Sequence, residues 1–277
     1  MPTLKAGCRR QGIPGTPAKG RRVTVDDPDE LQKLLGTSAE CECGRRHEVP
    51  TRRALIGRRV LESLPALLDE FGLGGPALVV SDVTTREVAG RCVEGLLDGA
   101  GVTVEALVLK PQTSHRLEAT AEVAARVEAR LREGYRVAIA VGSGTINDLT
   151  KLPASNAGVP YIAVATAPSM NGYPSAIAAI LEGGIKRTVS CAPPIAVVAD
   201  TDILVAAPRE MIAAGLGDLL SKATSSADWK MASLVREEYY CDRPIHVVEQ
   251  AERRCRAAAE AIGRGEAGAI ETLAVGL

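Results

Sequence analysis

The sequence predicts an α/β protein: an N-terminal parallel-sheet domain of nucleotide-binding type, followed by an all-helical C-terminal domain that is incomplete. Three observations carry this. Short, near-continuous apolar runs alternate with helix-period segments as far as Asp200, the pattern of parallel strands buried on both faces. Beyond Asp200 the extended runs stop and helical periodicity takes over. One apolar run, Val137–Val141, leads straight into Gly142-Ser143-Gly144, at the sheet edge where such folds bind anionic ligands.

The composition narrows the class. The 277 residues exceed one typical domain, and 46% are hydrophobic and 24% charged, enough to bury a core. Aromatic residues are only 3%, so that core is built from Ala, Val, Leu and Ile. A net charge of −1 gives no electrostatic reason for a nucleic-acid partner. No apolar run approaches the roughly 20 residues of a membrane span. Seven cysteines, an odd number with no secretory leader before them, read as reduced thiols in a cytoplasm.

In chain order, residues 1–40 read as a weakly ordered basic tail, 41–205 as the α/β domain and 206–277 as a partial helical domain, with no internal repeat. Val49–Ile56 predicts a first strand, and Val60, Leu61, Leu64, Leu67 and Leu68 a helix kinked at Pro65. Ala77–Val80, Val102–Leu109, Val137–Val141 and Tyr161–Val164 predict the sheet strands. The helices between them span Glu87–Leu97, with Val88, Cys92, Val93, Leu96 and Leu97 inward, and Leu117–Leu131. Helices are then expected over Pro208–Lys222, Ala227–Glu238, Pro244–Ile262 and Glu266–Leu277. The last lacks a Gly or Asn cap and breaks off in apolar sequence, so the expectation is a helical domain cut short or completed by another chain.

The run Val141 to Lys151 follows a buried strand and opens a helix. It fits neither named phosphate motif: Asn147 stands where the third Gly of G-x-G-x-x-G belongs, and no Gly-Lys-Ser/Thr triplet is present. Spacing alone leaves two equal alternatives, a phosphate-binding loop or a turn closed by a Thr145/Asp148 capping box. Asp82, just past the end of Ala77–Val80, could hold ribose hydroxyls; by itself it reads first as a helix N-cap, a role Thr84 could also fill.

Read together, Gly-Ser-Gly-Thr-Ile-Asn-Asp at 142–148, Thr-Ala-Pro-Ser-Met-Asn-Gly-Tyr-Pro-Ser at 166–175, Gly-Leu-Gly-Asp-Leu-Leu-Ser-Lys at 215–222 and Ala-Asp-Trp at 227–229 resemble the sn-glycerol-1-phosphate dehydrogenases. That family belongs to the dehydroquinate synthase and iron-containing alcohol dehydrogenase superfamily, and the similarity runs from about residue 40 onward. The resemblance implies an active-site cleft between the two domains and reversible hydride transfer between NAD or NADP and dihydroxyacetone phosphate, a step toward ether-type phospholipids. It implies a divalent metal (Zn, Ni or Fe), a phosphorylated small-molecule partner and, as an option, a homodimer. Asp82 matches the adenosine-ribose contact. Gly144, Thr145, Ile146, Asn147 and Asp148 match the diphosphate loop. Thr166, Ala167, Pro168 and Ser169 match the segment beside the nicotinamide, and Ser175 a further cofactor contact. Asp218 matches the first metal ligand and acts with Asn171 on the substrate.

Two departures bear on activity. Asn171 stands where many members carry a substrate-binding Asp, and it cannot take up a proton. The family's two metal-ligating histidines fall beyond Leu277, whereas His47, His115 and His246 match no ligand position. A catalytic zinc needs about three protein ligands, so the expectation is cofactor binding with impaired turnover. The residues alone read Asp218 as a surface carboxylate paired with Lys222 at i, i+4. Two further readings are a polyol dehydrogenase acting on plain glycerol and a non-catalytic nucleotide-binding remnant or subunit. Cys41-x-Cys43 with His47 offers zinc donors, but the spacing is not C-x₂-C and no fourth ligand is evident, so a polar turn is preferred. The Arg45, Arg46, Arg52, Arg53, Arg58 and Arg59 cluster reads as solvated surface, and Lys186-Arg187 as a surface hairpin rather than a substrate-phosphate contact.

Overall fold

A computed structural model describes residues 31–111 and 116–277. Residues 1–30 of the expected tail, and His115, lie outside them. Six parallel strands form the central sheet in the order β3-β10-β7-β6-β4-β5: β3 (Arg53–Gly57), β4 (Ala77–Asp82), β5 (Val104–Leu109), β6 (Val137–Gly142), β7 (Tyr161–Ala165) and β10 (Ala196–Asp200). Two antiparallel hairpins flank it, β1 (Ser38–Glu40) with β2 (Arg46–Glu48), and β8 (Ile177–Glu182) with β9 (Ile185–Ser190).

The strands are apolar throughout because both faces are covered. Ala77, Val79, Val137, Ile139, Val141, Ile162 and Val164 point to one face and pack with Leu64, Leu67, Leu68, Val93 and Leu97. These come from α1 (Leu64–Glu70) and α2 (Arg91–Gly99). The alternate residues Leu78, Val80, Ala138, Ala140, Ala163 and Ala165 face the other way, onto α3 (Ala121–Leu131) and α4 (Gly144–Ala157). No strand follows Asp200 among the described residues. Six helices do: α5 (Thr201–Val205), α6 (Arg209–Leu220), α7 (Lys222–Arg236), α8 (Asp242–Ala257), α9 (Ala259–Arg264) and α10 (Ala267–Gly276). Their Leu204, Ile212, Leu219, Ile262, Ile270 and Leu273 join the second cluster, so the helical part closes directly over that sheet face. No described helix is long and apolar enough to cross a membrane.

Several expectations need correction. Residues 31–40, assigned to the tail, hold a helical stretch at Leu31–Gln32 and β1. Pro65 kinks nothing, because a 3₁₀ turn over Val60–Ser63 precedes it and Pro65 lies in the first turn of α1, where its missing N–H costs no bond. A π-turn at Arg86–Gly90 interrupts the helix expected from Glu87, which rotates Val88 and Cys92 out to solvent. The helix expected from Leu117 begins at Ala121, where Thr120 caps it through Val123 N–H. The sequence reading also passed over β10, although all five of its residues are buried.

Helix α6 meets the rest of the protein backbone to backbone. A Cβ added at Gly215 would lie 1.8 Å from the carbonyl oxygen of Pro168, which cannot swing aside, whereas one at Gly217, on the same helix, meets nothing within 4 Å. Gly215→Ala is therefore expected to destabilise the protein by about 2 kcal/mol or more. Gly217→Ala is expected to be neutral or to stabilise by up to about 1 kcal/mol through helix propensity. Urea midpoints of the two variants against the parent check this.

Candidate functional site

The order of the strands defines the site. β4 is followed by β5 on one side, and the chain then crosses to β6 on the other, so β4 and β6 flank the point where an open parallel sheet forms a crevice at its carboxyl edge. Val80 is paired with Ala140, and two residues further on Asp82 stands level with Gly142. Gly142 is in turn paired with Ala165, the last residue of β7. Asp82, the 142–148 loop and the segment from Thr166 thus emerge side by side on one edge.

The loop turns into α4 without the expected capping box. The N-cap is Ser143, in extended conformation, and its side chain makes no cap hydrogen bond. Asp148 instead turns away to accept from Ala179 N–H of β8 at 3.1 Å. Asn147 N–H bonds Ser143 carbonyl, 2.9 Å. The first-turn amides of α4 therefore have no side-chain cap, and uncapped N–H groups with the helix dipole behind them suit an anion. Asn147 is 1% exposed and its Oδ1 has no hydrogen-bond partner. Gly142 allows a close turn: a Cβ there would sit 2.6 Å from that of Ile146. The uncapped first-turn amides and the close turn at Gly142 fit the diphosphate of a dinucleotide; the Asn147 Oδ1, an acceptor, adds nothing to that fit. Asp82 acts as an N-cap, accepting from Thr85 N–H at 2.7 Å while its own N–H donates to Thr85 Oγ1 at 3.0 Å; Thr84 does not take that part.

The segment 166–175 folds back over the loop. Thr166 N–H donates to Gly142 carbonyl at 3.2 Å. Tyr173, 5% exposed, donates its hydroxyl to Ala167 carbonyl at 2.8 Å, and burial pushes the phenol far above its usual value, so it stays protonated. The same hydroxyl lies 3.4 Å from Gly142 carbonyl. Lys151 of α4 is fully buried and donates to Gly172 carbonyl (2.8 Å), Ser175 Oγ (2.9 Å) and Ile177 carbonyl (3.1 Å). Ser175 is thus a partner of Lys151 here. Sequence reasoning assigned no role to Lys151 or Tyr173, although both lie within or next to its motifs; the available signal was Lys151 spaced i, i+3 from Asp148.

Asp218 approaches from α6. Its Oδ2 accepts from Asn171 N–H at 2.8 Å, and its Oδ1 lies 3.3 Å from Lys222 Nζ. With the Asn171 amide oriented to satisfy both ends, its nitrogen donates to Asp218 Oδ2 and its oxygen accepts from Lys222 Nζ, each at 2.9 Å. Asp218 is therefore joined both to Lys222, as the i, i+4 spacing suggested, and to the 166–175 segment. Among the described residues no group of three or more His, Cys, Asp or Glu donors includes it. The donor set around Asp218 does not fit a catalytic metal. An apolar cavity of about 180 Å³ adjoins the segment, lined by Pro168, Tyr173, Ala165, Val197, Ile56 and Leu277 among others. Arg187 pairs with Glu182 across the exposed β8–β9 hairpin, outside the site.

Comparison with known proteins gives the family and the fold. Residues 55–208 match the family model described as iron-containing alcohol dehydrogenase. A glycerol-1-phosphate dehydrogenase [NAD(P)+] of Halalkalibacterium halodurans is 37% identical over 233 residues, 84% of this chain and 58% of that protein. Its counterpart in Methanosarcina barkeri is 38% identical over 189 residues, 68% of this chain and 51% of that protein. The chain thus spans little more than half the length of these curated relatives. Glycerol dehydrogenase of Schizosaccharomyces pombe superposes with a TM-score of 0.64 at 20% identity, covering 81% of this chain and 60% of that one, and shows the fold.

Burial holds the Lys151 ammonium below its usual value near 10.5, with the Asp148 carboxylate pulling partly back. Between the lowered folded value and the unfolded one, the unfolded chain binds more protons, so stability rises with pH in that window. Lys151→Met is expected to remove this rise and to cost about 2 kcal/mol, by removing three hydrogen bonds that tie Gly172, Ser175 and Ile177 to α4. Urea midpoints of parent and variant across the alkaline range check both effects.

Proposed function

We propose, from the premise that the chain belongs to the iron-containing alcohol dehydrogenase family, that it is a cytoplasmic NAD(P)-dependent oxidoreductase built to reduce dihydroxyacetone phosphate to sn-glycerol 1-phosphate. One observation carries the reading: the uncapped loop 142–148, Asp82 and segment 166–175 share one sheet edge, and Asp218 is hydrogen-bonded to that segment. The names of the sequence relatives support the choice of substrate.

Each residue has a place in this proposal. Backbone N–H groups of Gly144, Thr145 and Ile146 receive the diphosphate, as free amides at a helix N-terminus do, while Asn147 and Asp148 complete the loop, the Asn147 N–H staying on the Ser143 carbonyl. Asp82 holds the adenosine ribose while still capping its own turn. Thr166, Ala167, Pro168 and Ser169 border the nicotinamide, next to the apolar cavity that keeps water from the reacting carbons. Ser175, held by Lys151, keeps the segment closed. Asn171 and Asp218 face the substrate; the amide of Asn171 can hydrogen-bond a hydroxyl but cannot accept a proton.

NAD or NADP, when bound, would supply or accept the hydride; the divalent metal of the family (Zn, Ni or Fe) would, where further donors held it beside Asp218, supply Lewis-acid polarisation of the carbonyl. Asp218 is the one residue matching that metal's ligands. It is engaged by Lys222 and Asn171, and no second or third donor joins it among the described residues. The proposal for this 277-residue chain is accordingly coenzyme binding with very slow turnover.

The purified chain, given dihydroxyacetone phosphate, NADH or NADPH and added Zn²⁺, Ni²⁺ or Fe²⁺, is expected to oxidise the coenzyme barely above the rate without protein. Robust metal-dependent oxidation contradicts the impairment. In a longer chain that carries further metal ligands, turnover is expected, with strong preference over unphosphorylated dihydroxyacetone, and Asp218→Ala is expected to abolish it. Equal turnover of the plain substrate would instead favour a polyol dehydrogenase.

A further inference from the structure

The short β1–β2 hairpin, expected only as a polar turn, brings three potential ligands together and supplies them with a fourth from far along the chain. Cys41 and Cys43 sit at its tip and His47 on its returning strand. Cys241 is the buried N-cap of α8, about 200 residues later. The four ligand atoms, three Sγ and one imidazole nitrogen, all lie within 4.8 Å of one another. Cys41 Sγ is 3.7 Å from Cys241 Sγ, Cys241 Sγ is 3.5 Å from His47 Nε2, and Cys43 Sγ is 3.2 Å from His47 Nε2.

These separations have a chemical meaning. Bonds of about 2.3 Å to sulfur and about 2.0–2.1 Å to nitrogen, set at tetrahedral angles, place sulfurs about 3.8 Å apart and sulfur about 3.5 Å from nitrogen. The three edges observed here, 3.7, 3.5 and 3.2 Å, lie within about 0.3 Å of that tetrahedron. Soft thiolate and imidazole donors in this ratio select zinc over calcium or magnesium. The turn is shaped for it: Gly44 adopts φ +80°, and Cys41 N–H bonds Arg45 carbonyl at 3.1 Å.

We infer that Cys41, Cys43, His47 and Cys241 bind a structural zinc ion that clips the N-terminal hairpin to the helical half of the protein. All four positions are filled by protein, which leaves no open coordination site and assigns the ion a structural rather than catalytic task. The surroundings support the ligands. Tyr239 Oη lies 3.2 Å from Cys43 Sγ, its ring carries the Arg45 guanidinium at 3.6 Å from the centroid, and its carbonyl accepts from Trp229 Nε1–H of α7. The site is separate from Asp218, and the inference stands whether or not the proposed dehydrogenase activity does.

The test is metal analysis of the reduced, purified chain. About one zinc per chain is expected. It should persist in Asp218→Ala and in Cys92→Ser, which alters an exposed thiol outside the cluster, and be lost in Cys241→Ser. In the unmutated chain, which avoids any folding defect of the variants, exchange to Co²⁺ should give a thiolate-to-cobalt charge-transfer band with tetrahedral d–d absorption. Bound metal should also protect Cys41, Cys43 and Cys241 from alkylation while Cys92 reacts. Failure of the folded, reduced chain to take up Zn²⁺ or Co²⁺, a Cys41–Cys241 disulfide in the reduced preparation, or metal that follows Asp218 rather than Cys241 would each overturn the inference.

Discussion

The segment from Thr166 to Ser175 has to fit in a gap only backbone-thin. On one side the α6 backbone presses on the Pro168 carbonyl, a contact only glycine at position 215 permits. Below it, Thr166 N–H and Tyr173 tie it to the end of β6 and to itself. From the core, the Lys151 ammonium reaches two of its oxygens, on Gly172 and Ser175, and the Ile177 carbonyl just beyond it. The placement of the loop, the cavity and Asp218 relative to one another follows from this packing. An ammonium in that position is costly to bury, and its three hydrogen bonds, to Gly172, Ser175 and Ile177, offset that cost.

Much of the fold was legible because its cause is local. Runs such as Ala77–Val80 and Tyr161–Val164 are apolar at every position, which only a sheet covered on both faces needs. β10 is equally apolar but lies between a hairpin and the helical region, so no helix-period segment precedes it to mark it as part of the alternation. The π-turn at Arg86–Gly90 has no composition signal and displaced the inward face of the following helix. At the site, the glycines and the carboxylates could be read directly. The role of Asp148 could not, since its partner Ala179 N–H belongs to a hairpin strand 31 residues away. Nor could the fourth member of the Cys41 cluster, because only the fold brings Cys241 to the hairpin.

Beyond the core they share, the two halves of the protein meet at two sites of different character. Near the site the joint is steric and polar: Gly215 against Pro168, and Asp218 with Asn171 and Lys222. At the far end of the helical segment it is a cluster of sulfur and nitrogen donors, supported by Trp229 and Tyr239. A metal clip there restrains α7 and α8 beyond what their modest burial provides, since α7 has no fully buried residue. Cross-linking positions so distant in sequence limits the unfolded chain most, which suits a helical segment whose core is shared with the sheet.

The account depends on one physical statement: amides at the tip of β6 and the start of α4 receive the diphosphate of a dinucleotide. Titration calorimetry of the folded 277-residue chain with NADH and with NADPH tests it directly. The account predicts saturable heat for at least one coenzyme, weakened when the loop is altered by Gly144→Val, whose branched side chain would be forced against Met170. Absence of binding heat for both coenzymes with a cooperatively folded sample would contradict it.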